Sequence, residues 1–397
     1  MKTPTLGIRQ DPAREATRFV VLMGVVSLLA DATYEGARSI LGPYLLALGA
    51  SATVVGFVAG FGELVGYGLR LVSGRLADRT RRFWDLTVAG YVANLLSVPL
   101  LALVGRWEAA ALLVVAERAG KAVRTPPRDA MLSYAASRVG AGWAFGLHEA
   151  LDQVGAVAGP LLVAAVLSAG GSLRWGFAAL AFPAALCLVT IAWTRTRFPQ
   201  PSQLEDSSVP VDFQLRHVLG LYLIGAGLVA AGFADFPLLA YHFARTAVLP
   251  TAVVPMLYAL AMATDAGAAL LLGRWFDRYG TMTLAAGTAV TALFAPLAIF
   301  GGPAGAWVGV ALWGMGVGLQ ESVLRAAVAR MVAQERRASA FGLFQTVYGV
   351  AWFAGSGLMG FLYDVHPRYL VLFAVGAQLS AAVLFGWSAA RSPLRPR

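Results

Sequence analysis

Asp31 and Glu35 stand four residues apart inside a long apolar run, and Arg38 follows three residues later. On a helix these spacings put side chains on one face. A charge at membrane depth costs roughly 2.5 kcal/mol or more, so it defaults to a functional reading. A carboxylate there can cycle a proton, because burial favours its neutral form and a neighbouring cation favours its charged form. Asp31 and Glu35 fit this role best, with Asp152, Asp235 and Glu321 as further proton-coupling candidates. Other charges fall in the same kind of surroundings: Glu63, Arg70, Glu117, Arg118, Lys121, Arg124, Asp265 and Arg325. Lys121 and Arg124 are spaced to share a stripe with Arg128, and His148 shares a face with Asp152 beside Glu149. Glu117–Lys121 and Glu321–Arg325 have the acid-before-base spacing of an intrahelical ion pair. Each acid therefore has two readings, a structural pair or a group that moves protons. Arg38, Glu117, Lys121, Arg124, His148, Glu149 and Arg325 are candidates to line a solute cavity. In the second half, Trp313, Gln320, Gln345, Tyr348 and Trp352 suit contacts with an organic solute, or plain core packing.

Other chemistries lack their residues. No P-loop is present, so ATP is not the energy source. His148, His217, His242 and His366 are scattered, and Cys187 is the sole cysteine. That excludes an intrachain disulfide and a cysteine-based metal site. We expect no enzyme activity, no cofactor and no metal.

The elements that position these residues are read from composition and apolar spacing. Of 397 residues, 58% are hydrophobic and 13% charged, against about 25% charged in a soluble domain. A spanning helix needs about 20 apolar residues. Twelve candidates occur, near 18–47, 52–77, 84–104, 107–127, 142–168, 174–194, 216–243, 250–273, 281–301, 304–329, 339–362 and 368–390. The first is too long for a signal peptide and carries Asp31 and Glu35, so it reads as a retained helix. The linker-like stretch at 196–215, with several Pro and Ser residues, divides 1–195 from 216–397. The net charge of +10 is nearly all arginine, the only lysines being Lys2 and Lys121. The arginines crowd into alternate loops (Arg75, Arg79, Arg81, Arg82, Arg138, Arg195, Arg274, Arg278, Arg336, Arg337), which places those loops, both termini and the linker in the cytoplasm. The basic charge thus reports orientation in an inner membrane, with lipid and not nucleic acid as the partner. The chain also repeats. Gly74-Arg75-Leu76-Ala77-Asp78-Arg79 returns about 199 residues later as Gly273-Arg274-Trp275-Phe276-Asp277-Arg278, and Ala144-Phe145-Gly146-Leu147 returns about 196 residues later as Ala340-Phe341-Gly342-Leu343. Two matches at nearly one offset point to a two-fold membrane carrier.

The turn Gly74-Arg75-Leu76-Ala77-Asp78-Arg79 with Arg82 resembles the signature loop of the major facilitator superfamily between helices 2 and 3, with Gly273, Asp277 and Arg278 as its degenerate second copy. Gly155-Ala156-Val157-Ala158-Gly159-Pro160 is partly similar to that superfamily's antiporter motif, although Leu161, Leu162 and Val163 depart from it. The segment Glu117 to Ala130 resembles a prokaryotic branch that names no substrate. The resemblance implies an all-α membrane protein: twelve transmembrane helices in two pseudo-symmetric six-helix bundles. It also implies that Asp78 meets the start of helix 11 near Ser339, while Arg79 or Arg82 pairs with Asp129, a latch on the outward-open state. Gly155 and Gly159 would allow close helix packing and Pro160 a bend. The implied activity is a monomeric secondary transporter that moves a small organic solute by alternating access, with proton-coupled efflux expected. Organic-anion uptake or exchange is the alternative, and a membrane scaffold or receptor that moves nothing is a rival of another class.

Overall fold

The computed structural model describes residues 12–139, 141–204, 218–324, 327–328 and 337–391. The chain runs through α1 (Pro12–Ala47), α2 (Ala52–Thr80), α3 (Phe83–Leu100), α4 (Trp107–Val139), α5 (Ala141–Ser168) and α6 (Leu173–Ala179 then Ala181–Arg197). The second half follows as α7 (Val218–Ala231 then Phe236–Thr246), α8 (Val254–Tyr279), α9 (Met282–Thr291 then Phe294–Phe300), α10 (Gly302–Gly318), α11 (Arg337–Val365) and α12 (Pro367–Arg391). Ten of these stretches are long and apolar enough to cross a membrane. The other two are α4, with Glu117, Arg118, Lys121 and Arg124 in mid-span, and α11, diluted by Gly349, Gly355, Ser356, Gly357 and Gly360.

Three expected continuous spans are interrupted, each with a local cause. Pro183 and Pro296 cannot donate to the turns before them, and α6 and α9 break at Leu180 and at Ala292-Leu293. In α7 the helix stops at Ala231 and restarts at Phe236 with Pro237 in its first turn. Backbone left without a helical partner inside a membrane must find one elsewhere. Here Trp313 Nε1 donates to the Ala234 carbonyl at 2.8 Å and Gln378 Nε2 to the Val229 carbonyl at 3.0 Å. α10 widens into a π-helical turn over Leu319–Leu324. Such turns are frequent at functional sites.

Glycine brings the helices together. A Cβ on Gly155 or Gly159 of α5 would collide with the carbonyls of Leu28 and Ala32 on α1. In the second half, a Cβ on Gly355 of α11 would collide with the Ala231 carbonyl of α7. α5 on α1 and α11 on α7 are therefore one packing arrangement used twice, at the repeat offset of the sequence.

The helix ends that carry the arginine-rich turns form one face of the molecule, the basic face. At the opposite face the two halves touch. α2 lies against α11 with Gly56 on the Ser356 carbonyl and Gly360 on the Ala52 carbonyl, and α1 lies against α7 with Gly42 on the Pro237 carbonyl. α5 also packs on α8.

Candidate functional site

A cavity of about 720 Å³ lies between the halves. Its walls run from mid-helix toward the basic face: Glu63 to Leu71 on α2, Lys121 to Asp129 on α4, Ala156 back to His148 on α5, and Trp352 back to Phe344 on α11. It is closed toward the opposite face. The size suits a drug-sized ligand.

The floor is a layer of polar contacts joining the halves. Arg38 Nη2 lies 3.3 Å from Asp235 Oδ1 and 3.9 Å from Glu63 Oε1. Asp235 is 1% exposed and is seated in the gap of α7. Its other oxygen accepts from Trp352 Nε1 at 2.9 Å and Ser356 Oγ at 2.8 Å. Nearby, Tyr258 of α8 donates to Glu35 of α1 at 2.5 Å. Two side chains of the first half, Arg38 and Glu35, are thus tied to Asp235 and Tyr258 of the second. Unpaired charges would be costly at this depth, and the network satisfies them.

Behind the α1–α4 wall lies a second network. Glu117 accepts from Asn94 Nδ2 at 2.5 Å and sits 3.6 Å from Arg118 Nε. Arg118 Nη2 reaches Glu63 at 3.1 Å. Arg124 is fully buried, 3.6 Å from Asp31 Oδ1 and over the Tyr91 ring at 4.3 Å. These contacts correct three expectations. Glu117 pairs with Arg118 and not with Lys121, because the chain places Lys121 over the Tyr34 ring at 3.8 Å. Glu117 and Arg124 do not line the cavity. Asp235, a proton-coupling candidate, is enclosed beneath the cavity floor.

Asp31, Glu35, Arg38, Lys121, His148, Glu149, Asp152, Trp313, Gln320, Glu321, Gln345, Tyr348 and Trp352 do line it. His148 Nδ1 lies 3.4 Å from Asp152 Oδ2. Tyr348 donates to Gln320 Oε1 at 2.5 Å. Trp313 presents a ring whose N–H is already spent on α7. Arg325, the expected partner of Glu321, lies outside the described residues, as does the Asp277 side chain.

Among the described residues, the expected latch is disengaged. Asp78, Arg79 and Arg82 are exposed, and Asp129 pairs with Arg128 at 2.8 Å instead of with either arginine. A Cβ on Gly74 would meet only Pro126 at 3.6 Å, and one on Gly273 would meet open space, so neither glycine is sterically required in this state. The physical reason is the opening at the basic face, which holds α2 and α11 apart there. At the opposite face another acid is engaged. Asp364, past the predicted span 339–362, accepts from the Ala52 amide at 3.1 Å, the Thr53 amide at 2.8 Å and the Thr53 hydroxyl at 2.6 Å. Partial burial would raise its pKa, but the Thr53 and Ala52 hydrogen bonds outweigh burial and hold it below the usual carboxylate range.

Sequence reasoning did not single out Tyr258, Tyr34, Tyr67, Asn94 or Ser356. Neutral polar side chains carry no charge signal in an apolar run. Glu63, Arg70, Arg118 and Asp265 had that signal and belong to the site.

The comparisons with known proteins agree with this geometry. The profile of the Major Facilitator Superfamily matches residues 23–356 and 252–397. The chain belongs to that superfamily. It is 45% identical over 381 residues to a protein of Mycobacterium tuberculosis (strain ATCC 25618 / H37Rv), covering 94% of this chain and 93% of the relative. It is 26% identical over 378 residues to an MFS-type transporter of Methanocaldococcus jannaschii, covering 91% and 92%. Among solved structures, the nucleoside transporter NupG aligns with a TM-score of 0.73 at 16% identity, over 93% of this chain and 98% of that one. A bacterial homologue of the human lysosomal transporter Spinster, in an inward-facing unoccupied conformation, aligns with a TM-score of 0.71 at 13% identity, over 94% and 95%. At such identities the structures share the fold alone. The superfamily member is a multi-pass membrane transporter of small molecules, not an enzyme.

Proposed function

We propose that this transporter exports a small organic solute in exchange for protons, as a monomer of the inner membrane with the basic face in the cytoplasm. Its two rocking units would be 1–195 and 216–397, joined by 196–215. The observation that carries the reading is the floor layer, where Glu35 and Asp235 each hold the two halves together. Opening toward the opposite face must break both contacts. Protonating either carboxylate removes the charge that its partner is bonded to, which ties proton uptake to the conformational change. The arginine-rich turns support the orientation, and the resemblance of Gly155-Ala156-Val157-Ala158-Gly159-Pro160 to the antiporter motif supports exchange over uptake. The sharpest test is reconstitution in proteoliposomes holding a pH dye. Adding a transported solute against an imposed proton gradient should move protons in the opposite direction. Solute flux with no proton movement would overturn the coupling, and proton movement in the same direction would make the protein an uptake carrier.

A further inference from the structure

The lysine and arginines that line the cavity, Arg38, Arg70, Lys121 and Arg128, all lie on α1, α2 and α4, with Asp31, Glu35, Glu63 and Asp129 among them. Lys121 on α4 and Arg70 on α2 both line it, and neither forms a salt bridge with a described carboxylate. Each lies over an aromatic ring: Lys121 Nζ over Tyr34 at 3.8 Å and the Arg70 guanidinium over Tyr67 at 5.4 Å. Arg70 Nε is buried with no hydrogen-bond partner. The other cavity cations are matched, Arg38 by Asp235 and Arg128 by Asp129. On α5, α8 and α10 the balance is reversed. Asp152, Asp265 and Glu321 face the cavity there, and none has a salt bridge to a described lysine or arginine. Asp265 is 3% exposed. Beside them His148, 4% exposed, keeps a buried Nε2 with no partner. α2 packs on α4, α5 on α8 and α8 on α10, and the two sets of helices meet where α4 packs on α5. Between them, Phe344, Tyr348 and Trp352 of α11 supply a ring surface.

We infer that the solute is an organic zwitterion with an aromatic body: its anionic group is held by Lys121 and Arg70, its ammonium by Asp152, Asp265 and Glu321, and its ring by Tyr348 and Trp352. A cation alone leaves Lys121 and Arg70 without a salt bridge to a described carboxylate, and an anion alone leaves Asp152, Asp265 and Glu321 without one to a described lysine or arginine. Only a molecule carrying both charges compensates both walls at once, and desolvated charges are tolerated only when compensated. A cation already seated on an aromatic face can also accept an anion without breaking a protein ion pair first. The inference rests on the transporter reading for the statement that the bound molecule is then moved.

The test uses matched probes on the purified full chain: L-tryptophan, tryptamine, which lacks the carboxylate, and N-acetyl-L-tryptophan, which lacks the ammonium. Thermal stabilisation by tryptophan should be half-maximal at a concentration at least about tenfold below that for either derivative, since a site built for a polar group rejects the analogue lacking it. Lys121→Gln should cancel the advantage over tryptamine and keep the advantage over N-acetyltryptophan, and Asp265→Asn should do the reverse. Equal stabilisation by tryptamine and tryptophan in the unaltered protein would make the solute a cation, and equal stabilisation by N-acetyltryptophan would make it an anion. No stabilisation by any of the three would overturn the assignment of an aromatic zwitterion. Proton movement in proteoliposomes separates the two claims. A singly charged probe that drives it leaves transport standing and the zwitterion fallen. Tryptophan that binds with the predicted variant pattern, yet moves neither itself nor protons, does the opposite.

Discussion

Glu35 and Asp235 come from opposite halves and meet in one layer, but they are held differently, and that difference predicts different variants. Glu35 has a neutral partner, Tyr258, while Asp235 has the charge of Arg38 and two neutral donors. Glu35→Gln keeps a group that can bond the phenol and removes the titration. Solute exchange across a membrane without any gradient should persist, and accumulation driven by a pH gradient should vanish. Retained uphill accumulation would move the coupling role to another carboxylate, Asp31 or Asp152 first. Asp235→Ala should be harsher, because it leaves buried Arg38 with only the 3.9 Å salt bridge to Glu63 among the described carboxylates, and breaking a buried pair costs about 3–5 kcal/mol. A lowered melting temperature checks this, and a melting temperature matching the unaltered protein would refute it. The acids were legible in the sequence because a charge in an apolar run stands out. Their partners were not. A tyrosine such as Tyr258 is equally at home in a packed core, and nothing in one sequence says that its hydroxyl finds Glu35, 223 positions away. Helical spacing also misled at Glu117, because Asn94 of α3 and the adjacent Arg118 offered better geometry than Lys121 one turn on.

The seam between α2 and α11 is where a helix-sized change has the clearest readout. Asp364 caps the first turn of α2 from the other half, and a lost cap costs about 1 kcal/mol. Asp364→Ala should therefore raise the population open to the opposite face by about fivefold. Val317 of α10 lines the cavity, so a membrane-impermeant maleimide added from the opposite face to a Val317→Cys variant, on a Cys187→Ser background, would detect it. Its pH behaviour has a definite sign. The bonded form is the ionised one, so the cap is fully present above the ordinary carboxylate value of about 3.9 and weakens as pH falls through it. Across neutral pH the cap is constant, and opening that responded to pH there would have to come from the cavity acids. Gly360→Leu offers a steric counterpart, since its Cβ already collides with the Ala52 carbonyl. It should hold the seam apart and increase labelling at Val317→Cys, and unchanged labelling would mean that the seam does not gate the cavity. Within the described residues, all twelve expected spans fall on helical stretches, because length and apolarity follow from membrane thickness. The breaks were not foreseen. Pro183 and Pro296 gave local notice of two of them, but the gap in α7 depends on Trp313 and Gln378 from other helices taking up the freed carbonyls. The latch at Asp78 was placed by resemblance, and its disengagement reflects which end of the cavity is open, a property of the state that no sequence displays.

At the scale of the molecule, the two-fold repeat shows in the paired glycine contacts of α5 on α1 and α11 on α7, while the charges do not repeat. Rocking of two similar halves thus comes from the fold, and selectivity from their differences. If Asp78 engages α11 only when the basic face closes, Asp78→Asn should leave folding and labelling from the basic side intact and slow complete transport cycles. Unchanged turnover would remove the latch. The open cavity also has an electrical consequence. Aqueous medium reaches from the basic face to the level of Glu35, so the insulating path across the membrane shrinks to the closed layer beyond it. Nearly the whole transmembrane voltage must then fall across that short layer, where one elementary charge is worth about 2.3 kcal/mol per 100 mV. Arg38, Asp235 and Glu35 stand in the steepest part of the field, and a proton arriving from the opposite face crosses most of it. In vesicles clamped with potassium and valinomycin at equal pH on both sides, the transport rate should therefore change with the imposed voltage, and a voltage-independent rate would place the field elsewhere.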